Sequence, residues 1–257
     1  MPFLPLHADN PRVLIEHAWV TWGLIAACVL VFLFQASATP EGAARLVFGL
    51  GLIPATLTGE GQLEPDLVLV PPWATLLTSA FLHGGWLHLG ANMLFLWVFG
   101  DNIEDSMGHG RFLVFYLICG LAAGLAHVAV QPGSAVPTVG ASGAVSGILG
   151  AYLILHPKSK VLVPVVVIPL YLPAWILLLF WIGFQIWSAA AGGPTAGGVA
   201  WWEHIGGFVA GALLIASFRH KTVPLFEGGK LPQGIRLRRG SARRTDENQD
   251  SGNGPWG

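Results

Sequence analysis

Six apolar runs of helix length limit what this chain can fold into more than any other feature. They are residues 19–34, 86–99, 111–130, 140–155, 161–187 and 199–218. About 20 apolar residues span the hydrocarbon core as a helix, and a spanning helix satisfies its own backbone hydrogen bonds. Hydrophobic residues make up 53% and charged residues 11% of the chain, whereas soluble domains are about 25% charged. The sequence therefore predicts an all-α, polytopic membrane protein with six transmembrane helices.

Basic residues are distributed unevenly around these runs, and the asymmetry predicts an orientation. Eight of the 13 Lys and Arg residues lie from Arg219 onward. With six spans, this tail falls on the same side as Arg111, Lys158 and Lys160, while Arg45 falls on the opposite side. Positively charged loops stay in the cytoplasm, so we expect both termini there. The basic tail is better explained as a topology determinant beside an anionic leaflet than as a nucleic-acid-binding arm.

Composition divides the chain into three segments. Residues 1–17 are predicted as a cytoplasmic lead, 18–218 as one membrane domain, and 219–257 as a basic, disordered cytoplasmic tail. The connection 35–72 is too interrupted by Gly and Pro to span, so we expect a loop resting partly in the membrane interface. Prolines in the run 161–187 predict a fifth helix whose first half is kinked or loosened.

Four polar residues inside the apolar runs need partners or a wet cavity, because buried polar groups are costly in a membrane. His88 and Asn92 are four residues apart and share one helix face. Ser142 lies at the start of the fourth run and His204 near the start of the sixth. In the predicted topology all four lie at a similar depth near the outer leaflet. This clustering predicts a cavity open to one side.

Small residues predict that the fourth and sixth runs pack closely. Glycines and alanines flank Ser142, and Gly207 and Gly211 share a helix face with His204. Close packing would bring His204 toward Ser142, a possible base and nucleophile. Glu203 lies about 100° away from His204 on the helix, which predicts a dyad without an acidic partner. A packing face with a satisfied interhelical network is the structural alternative.

Three short segments, in order along the chain, carry a family resemblance. They are 83–92 (His-Gly-Gly-Trp-Leu-His-Leu-Gly-Ala-Asn), 140–143 (Gly-Ala-Ser-Gly), and His204 with Gly207 and Gly211. Together they resemble the rhomboid family of intramembrane serine proteases, over roughly residues 19–218. Glu104, Gly108 and Arg111 also match the family's turn after the second span. The resemblance implies a six-transmembrane-helix rhomboid-like bundle.

The resemblance also implies roles for individual residues. Ser142 would be the nucleophile and His204 its general base. His88, Asn92 and the backbone N–H of Ser142 would stabilise the oxyanion, and His83 would lie at the site entrance.

Four further positions are expected to be structural. They are Glu104, Arg111, Gly207 and Gly211. The chain departs from the family pattern at Ser146, where many members carry an aromatic that packs under the histidine. It departs again at Trp73-Ala74, where many carry Trp-Arg.

The implied function is an intramembrane serine endopeptidase that cuts transmembrane segments of single- or multi-span membrane proteins at helix-destabilising sequences. The lipid bilayer is the other expected partner, in a bacterial-type inner membrane, and no nucleic acid is expected. Cys28 and Cys119 supply neither a disulfide framework nor metal-ligand spacing. No metal and no cofactor are expected.

Two other classes of protein compete with this prediction. A catalytically silent rhomboid-like protein that binds or chaperones membrane clients typically lacks the serine or the histidine. A small transporter or channel would have polar residues along its pathway in both halves of the bilayer. In this sequence the polar residues cluster in one half.

Overall fold

The computed structural model describes residues 5–8, 10, 12–165, 168–192 and 199–226, which are mostly helical. The helices are α1 (Trp19–Ser37), α2 (Pro40–Leu50), α3 (Pro54–Thr58), α4 (Thr75–Thr78), α5 (Trp86–Met107), α6 (His109–Val130), α7 (Ser142–Leu155), α8 (Ala174–Gly192) and α9 (Trp201–Phe218). The strands are β1 (His7–Ala8), β2 (Lys160–Val165) and β3 (Ile168–Pro173). Short 3-10 turns cover Pro65–Leu67, Pro72–Ala74 and Ser79–Phe81.

Three of the described helices, α1, α6 and α8, are long and apolar enough to cross a membrane. The pair Pro65–Phe81 and Trp86–Met107, bent by 80°, makes a fourth if it counts as one span. The chain is therefore an integral membrane protein with several apolar helices.

Helix α7 lies at the centre of the fold. Every residue from Gly143 to Tyr152 is buried, and α7 packs against α5, α6, α8 and α9. Its 14 residues give a length of about 21 Å at 1.5 Å per residue, shorter than a hydrocarbon core of about 30 Å. A helix enclosed by protein does not have to match the bilayer thickness, so α7 can be short.

The connection after α1 is more ordered than the predicted loop. It contains α2, α3 and several short turns. Helix α2 begins where Thr39 Oγ1 accepts the Gly42 N–H at 3.2 Å and where a proline occupies the first turn. The N–H of Leu52 donates to the Thr138 carbonyl at 3.0 Å, which ties this connection to the segment just before α7.

The predicted kinked start of the fifth span is wrong, because this segment is a β-hairpin. Strands β2 and β3 pair antiparallel, with Lys160 opposite Pro173 and Val165 opposite Ile168. Proline removes an N–H and clashes with the preceding turn inside a helix, while β-branched valines favour strands. The spanning helix α8 therefore begins only at Ala174.

Both ends of the described chain meet at the end of α5. Asp105 accepts the N–H groups of residues 13, 14 and 15 at 2.9, 2.7 and 2.7 Å. The N–H of His220 donates to the Ser106 carbonyl at 2.7 Å, and β1 pairs with β2. The predicted lead is thus docked on the helical domain, as are the first residues of the predicted tail. Residues 227–257 lie outside the described residues, and so does the prediction that they are disordered.

Candidate active site

A tight backbone turn positions Ser142 at the start of α7. Gly140 has a φ of +131°, a conformation that residues with a Cβ rarely adopt. Its N–H donates to the Ser79 carbonyl at 2.9 Å, which fixes the turn against the preceding helices. Ser142 is the first residue of α7, so the N–H groups around it have no intrahelical acceptor. The positive end of the helix dipole also lies here.

Ser142 lines a cavity of about 730 Å³, and the other three polar residues singled out in the sequence line it too. The polar side chains of its wall are His88, Asn92, Thr138, Ser142, Ser146, Glu203 and His204. They come from α5, α7, α9 and the segment before α7, and the rest of the lining is largely apolar. The structure therefore brings together the four intramembrane groups that the sequence placed at similar depth.

His88 presents a hydrogen-bond donor toward the turn that carries Ser142. Its Nδ1 accepts the Gly84 N–H at 3.3 Å, so a neutral ring carries its proton on Nε2. A Cβ built on Gly140 would lie 2.8 Å from that Nε2. The Nε2–H of His88 thus faces the backbone of residues 140–142.

Asn92 lies one turn further along α5 and is buried. Its Nδ2 donates to the His88 carbonyl at 3.1 Å, which uses one of its two amide hydrogens. No described residue accepts the second hydrogen, which can therefore donate to a group bound in the cavity.

His204 is held from several sides. Its Nδ1 lies 2.7 Å from Gln185 Oε1 of α8. The ring centroid lies 5.8 Å from that of Trp181 and 6.2 Å from that of Trp201. No hydrogen bond joins Ser142 Oγ to His204 in the described structure. Catalytic hydrogen bonds are often long in unliganded enzymes and tighten when substrate binds.

The other polar neighbours have partners elsewhere. Glu203 Oε1 accepts a hydrogen bond from Thr138 Oγ1 at 2.6 Å. Ser146 Oγ donates to the Ser142 carbonyl at 2.6 Å. Glu203 therefore ties α9 to the segment before α7.

His83 lies behind His88 and is fully buried, which differs from the predicted position at the site entrance. Its ring centroid is 5.3 Å from that of His88. Gln35 of α1 holds its backbone, donating to the His83 carbonyl at 2.9 Å and accepting its N–H at 3.3 Å. This clamp turns the loop before α5 inward, so His83 packs on His88 and does not line the cavity.

Three of the four predicted structural residues make close contacts. Glu104 accepts the Val20 and Thr21 N–H groups at 3.0 and 2.8 Å. A Cβ on Gly207 or Gly211 would collide with the carbonyl oxygen of Gly143 or Gly147. Arg111, by contrast, is exposed at the start of α6.

Sequence reasoning missed Gln185 and Trp181 of α8, which both contact His204. Both lie in the apolar run 161–187, four residues apart and hence on one helix face. The uncharged amide of Gln185 in a predicted membrane helix is a signal that could have identified it, because such groups need a partner there.

Comparison with known proteins identifies the family to which the chain belongs. Residues 71–221 match the family described as Rhomboid domain. The chain is 39% identical over 105 residues to rhomboid protease GluP of Bacillus subtilis, covering 41% of this chain and 20% of that protein. It is 33% identical over 179 residues to rhomboid protein 1, mitochondrial, of Saccharomyces cerevisiae, covering 65% and 48%.

A plant relative is also similar. Over 78 residues the chain is 41% identical to rhomboid-like protein 11, chloroplastic, of Arabidopsis thaliana, covering 30% of this chain and 28% of that protein. The chain thus spans between about a fifth and a half of the length of the curated relatives that it matches.

Proposed function

The chain belongs to the rhomboid family, and from that premise we propose that it is an intramembrane serine endopeptidase. Ser142 is the nucleophile and His204 is the general base. The observation that carries the proposal is the shared cavity, which places a serine at a helix N-terminus in one wall and a buried histidine in another. A catalytically silent relative has no need of either group.

The proposed reaction is acyl transfer to Ser142. His204 Nε2 takes the proton of Ser142 Oγ as the oxygen attacks the scissile carbonyl, whose own oxygen becomes an anion. The Ser142 N–H, His88 Nε2–H and the Asn92 amide stabilise that anion. His204 then protonates the leaving amine, and a water activated by the same histidine hydrolyses the acyl-enzyme.

We propose six membrane spans in a rhomboid-like bundle, within a membrane domain of residues 18–218. The spans are α1, the bent segment ending in α5, α6, α7, α8 and α9. The distribution of basic residues supports a cytoplasmic location for both termini and for the end of α5 where they dock, with Ser142 near the outer surface. A bacterial-type inner membrane is the proposed location, with the tail 219–257 as a basic cytoplasmic extension.

The proposed substrates are single- or multi-span membrane proteins with helix-destabilising segments. A recessed serine can attack only extended backbone, so a substrate helix has to unwind before it is cut. Segments rich in Gly or Ser, or interrupted by Pro, unwind at the lowest cost. The outward opening of the site predicts cutting near the outer end of the substrate helix.

A serine-reactive fluorophosphonate probe tests the assignment of the nucleophile. The purified protein should be labelled and should cut a model single-span substrate that carries Gly and Ser around the cut. Ser142→Ala should abolish both. Removing a catalytic serine lowers turnover by about 10⁶-fold in soluble serine proteases, so residual cleavage should be undetectable.

The matched control is Ser106→Ala. Ser106 is also buried, but its hydroxyl bonds to the Ile103 carbonyl at the far end of α5. Labelling and cleavage that persist in Ser142→Ala would remove Ser142 as the nucleophile. A folded wild-type protein with neither labelling nor cleavage would favour the silent client-binding alternative.

A further inference from the structure

Gln185 of α8 lies within hydrogen-bond distance of His204, the proposed general base. Its Oε1 lies 2.7 Å from His204 Nδ1. Gln185 is 0% exposed and His204 is 6% exposed, so water does not compete for this bond. A charge-neutral amide thus occupies the place that a carboxylate fills in serine proteases with a triad.

We propose that Gln185 is a positioning residue that fixes the tautomer and ring orientation of His204, a role that rests on the proposed protease function. Histidine Nδ1–H donates to Gln185 Oε1, which leaves Nε2 without a proton and able to accept one from Ser142. The opposite tautomer would carry its proton on Nε2 and could not act as a base there.

The orientation of the Gln185 amide and the tautomer of His204 determine each other. With Oε1 toward the imidazole, Nδ1–H donates to Gln185, and Gln185 Nε2 has no hydrogen-bond partner among the described residues. The reversed amide would donate to Nδ1 and require the opposite tautomer. The tautomer of His204 is therefore the measurement that decides this role.

Trp181 completes the support from the same helix. It lies one turn before Gln185, and its ring is tilted by 38° relative to the His204 ring at a centroid distance of 5.8 Å. It also stacks on Phe208 of α9 at 6.2 Å. Helix α8 thus supplies both an aromatic neighbour and a hydrogen-bond acceptor to His204.

The geometry predicts opposite outcomes for two substitutions of similar size. Gln185→Met keeps the length and volume but removes the acceptor. We expect kcat to fall by up to about 10²-fold, the loss that a misplaced reacting group produces, with KM nearly unchanged. Gln185→Glu restores an oxygen at the same place, and we expect it to recover most of the lost turnover.

Three measurements on the 257-residue chain in detergent test the proposal. The first is kcat and KM for the model substrate, with melting temperature as the folding control. The second is labelling by the fluorophosphonate probe. The third is ¹⁵N NMR of histidine-labelled protein, compared with His204→Ala to assign the His204 signals. Wild type should show the Nδ1–H tautomer at His204, and Gln185→Met should show a mixture of tautomers.

The outcomes of these measurements distinguish the proposed role of Gln185 from the proposed protease activity. Wild-type kcat in folded Gln185→Met, or an Nε2–H tautomer in the wild type, overturns the role of Gln185. A fall in kcat that Gln185→Glu does not recover also overturns it. If the Nδ1–H tautomer depends on Gln185 but the wild type neither cuts substrate nor reacts with the probe, the positioning of His204 stands and the protease proposal fails instead.

Discussion

The imidazole of His204 is held by Gln185, Trp181 and Trp201, whereas the hydroxyl of Ser142 faces the cavity. The two groups of the proposed dyad therefore differ in how far they are organised before substrate arrives. Ser146 stands where many family members carry an aromatic residue that packs under the histidine. In this chain Trp181 of α8 provides an aromatic contact to His204.

Among the individual residues of the site, Asn92 has the role that can be tested most directly. Donors prepared for a developing oxyanion stabilise the transition state more than the ground state. Asn92→Ala should therefore lower kcat by roughly 10²–10³, or about 2.7–4 kcal/mol, with little change in KM. Steady-state cleavage of the model substrate, corrected for folded protein, measures both parameters.

Asn102→Ala is the matched control, since Asn102 lies on the same helix and is 4% exposed, against 5% for Asn92. It contacts Asp101 and is remote from the cavity. Near-normal turnover per folded molecule in Asn92→Ala would remove Asn92 from the oxyanion site. A lower melting temperature with unchanged specific activity would assign it to packing alone.

At the scale of helices, α7 and α9 approach so closely that their backbones touch. Gly207 and Gly211 of α9 lie against the carbonyl oxygens of Gly143 and Gly147, and Gly150 of α7 lies against the carbonyl of Phe208. Small residues permit this approach in membranes, where van der Waals contact drives helix association. The same contact sets the distance between the helix that carries Ser142 and the helix that carries His204.

Gly211→Ala should therefore destabilise the protein, because the added Cβ meets backbone atoms that cannot rotate away. Overpacking of this kind costs about 1–3 kcal/mol, and a shift of α9 would also separate the dyad. Thermal unfolding in detergent should show a lower midpoint, and kcat should fall as well.

Gly183→Ala on α8 is the control, since nothing lies within 4 Å of a Cβ at that position. This change should be neutral or stabilising by about 0.5–1 kcal/mol, because alanine favours the helix. Equal melting temperatures for the two variants would contradict the close α7–α9 contact.

At the scale of the whole molecule, both ends of the described chain converge on one side. The lead docks on Asp105 and pairs with β2, and the chain after α9 docks on Ser106. The opposite side carries the connection after α1 and the turn before Ser142, joined by the bridge between Leu52 and Thr138. Charge asymmetry then predicts which of these two sides faces the cytoplasm.

Cysteine accessibility in intact cells tests this orientation. Glu60→Cys and Lys221→Cys place exposed thiols on opposite sides, while the native Cys28 and Cys119 are 0% exposed and should stay silent. A membrane-impermeant maleimide should label Glu60→Cys directly and Lys221→Cys only after permeabilisation. The reverse pattern would invert the proposed topology, and labelling of both without permeabilisation would exclude an even number of spans.

The rhomboid family and the candidate residues Ser142, His204, His88 and Asn92 were predictable from the sequence. The family followed from a resemblance carried by residues 83–92 and 140–143 and by His204 with Gly207 and Gly211. Local rules are enough to single out the four polar residues, because apolar runs identify membrane helices and polar groups inside them are costly. The family is confirmed by the match over residues 71–221, while the roles of the four residues stay predictions.

Tertiary structure alone decided what surrounds those residues. Gln185 is 19 positions from His204 and on another helix, so no pattern within one helix reveals the bond. His83 turned inward because Gln35, 48 positions away, holds its backbone. The hairpin of β2 and β3 has local signals in its prolines and valines, but the pairing of β2 with β1 joins segments more than 150 positions apart. Residue type and local period are properties of a sequence, whereas the partner of a buried polar group depends on how helices pack.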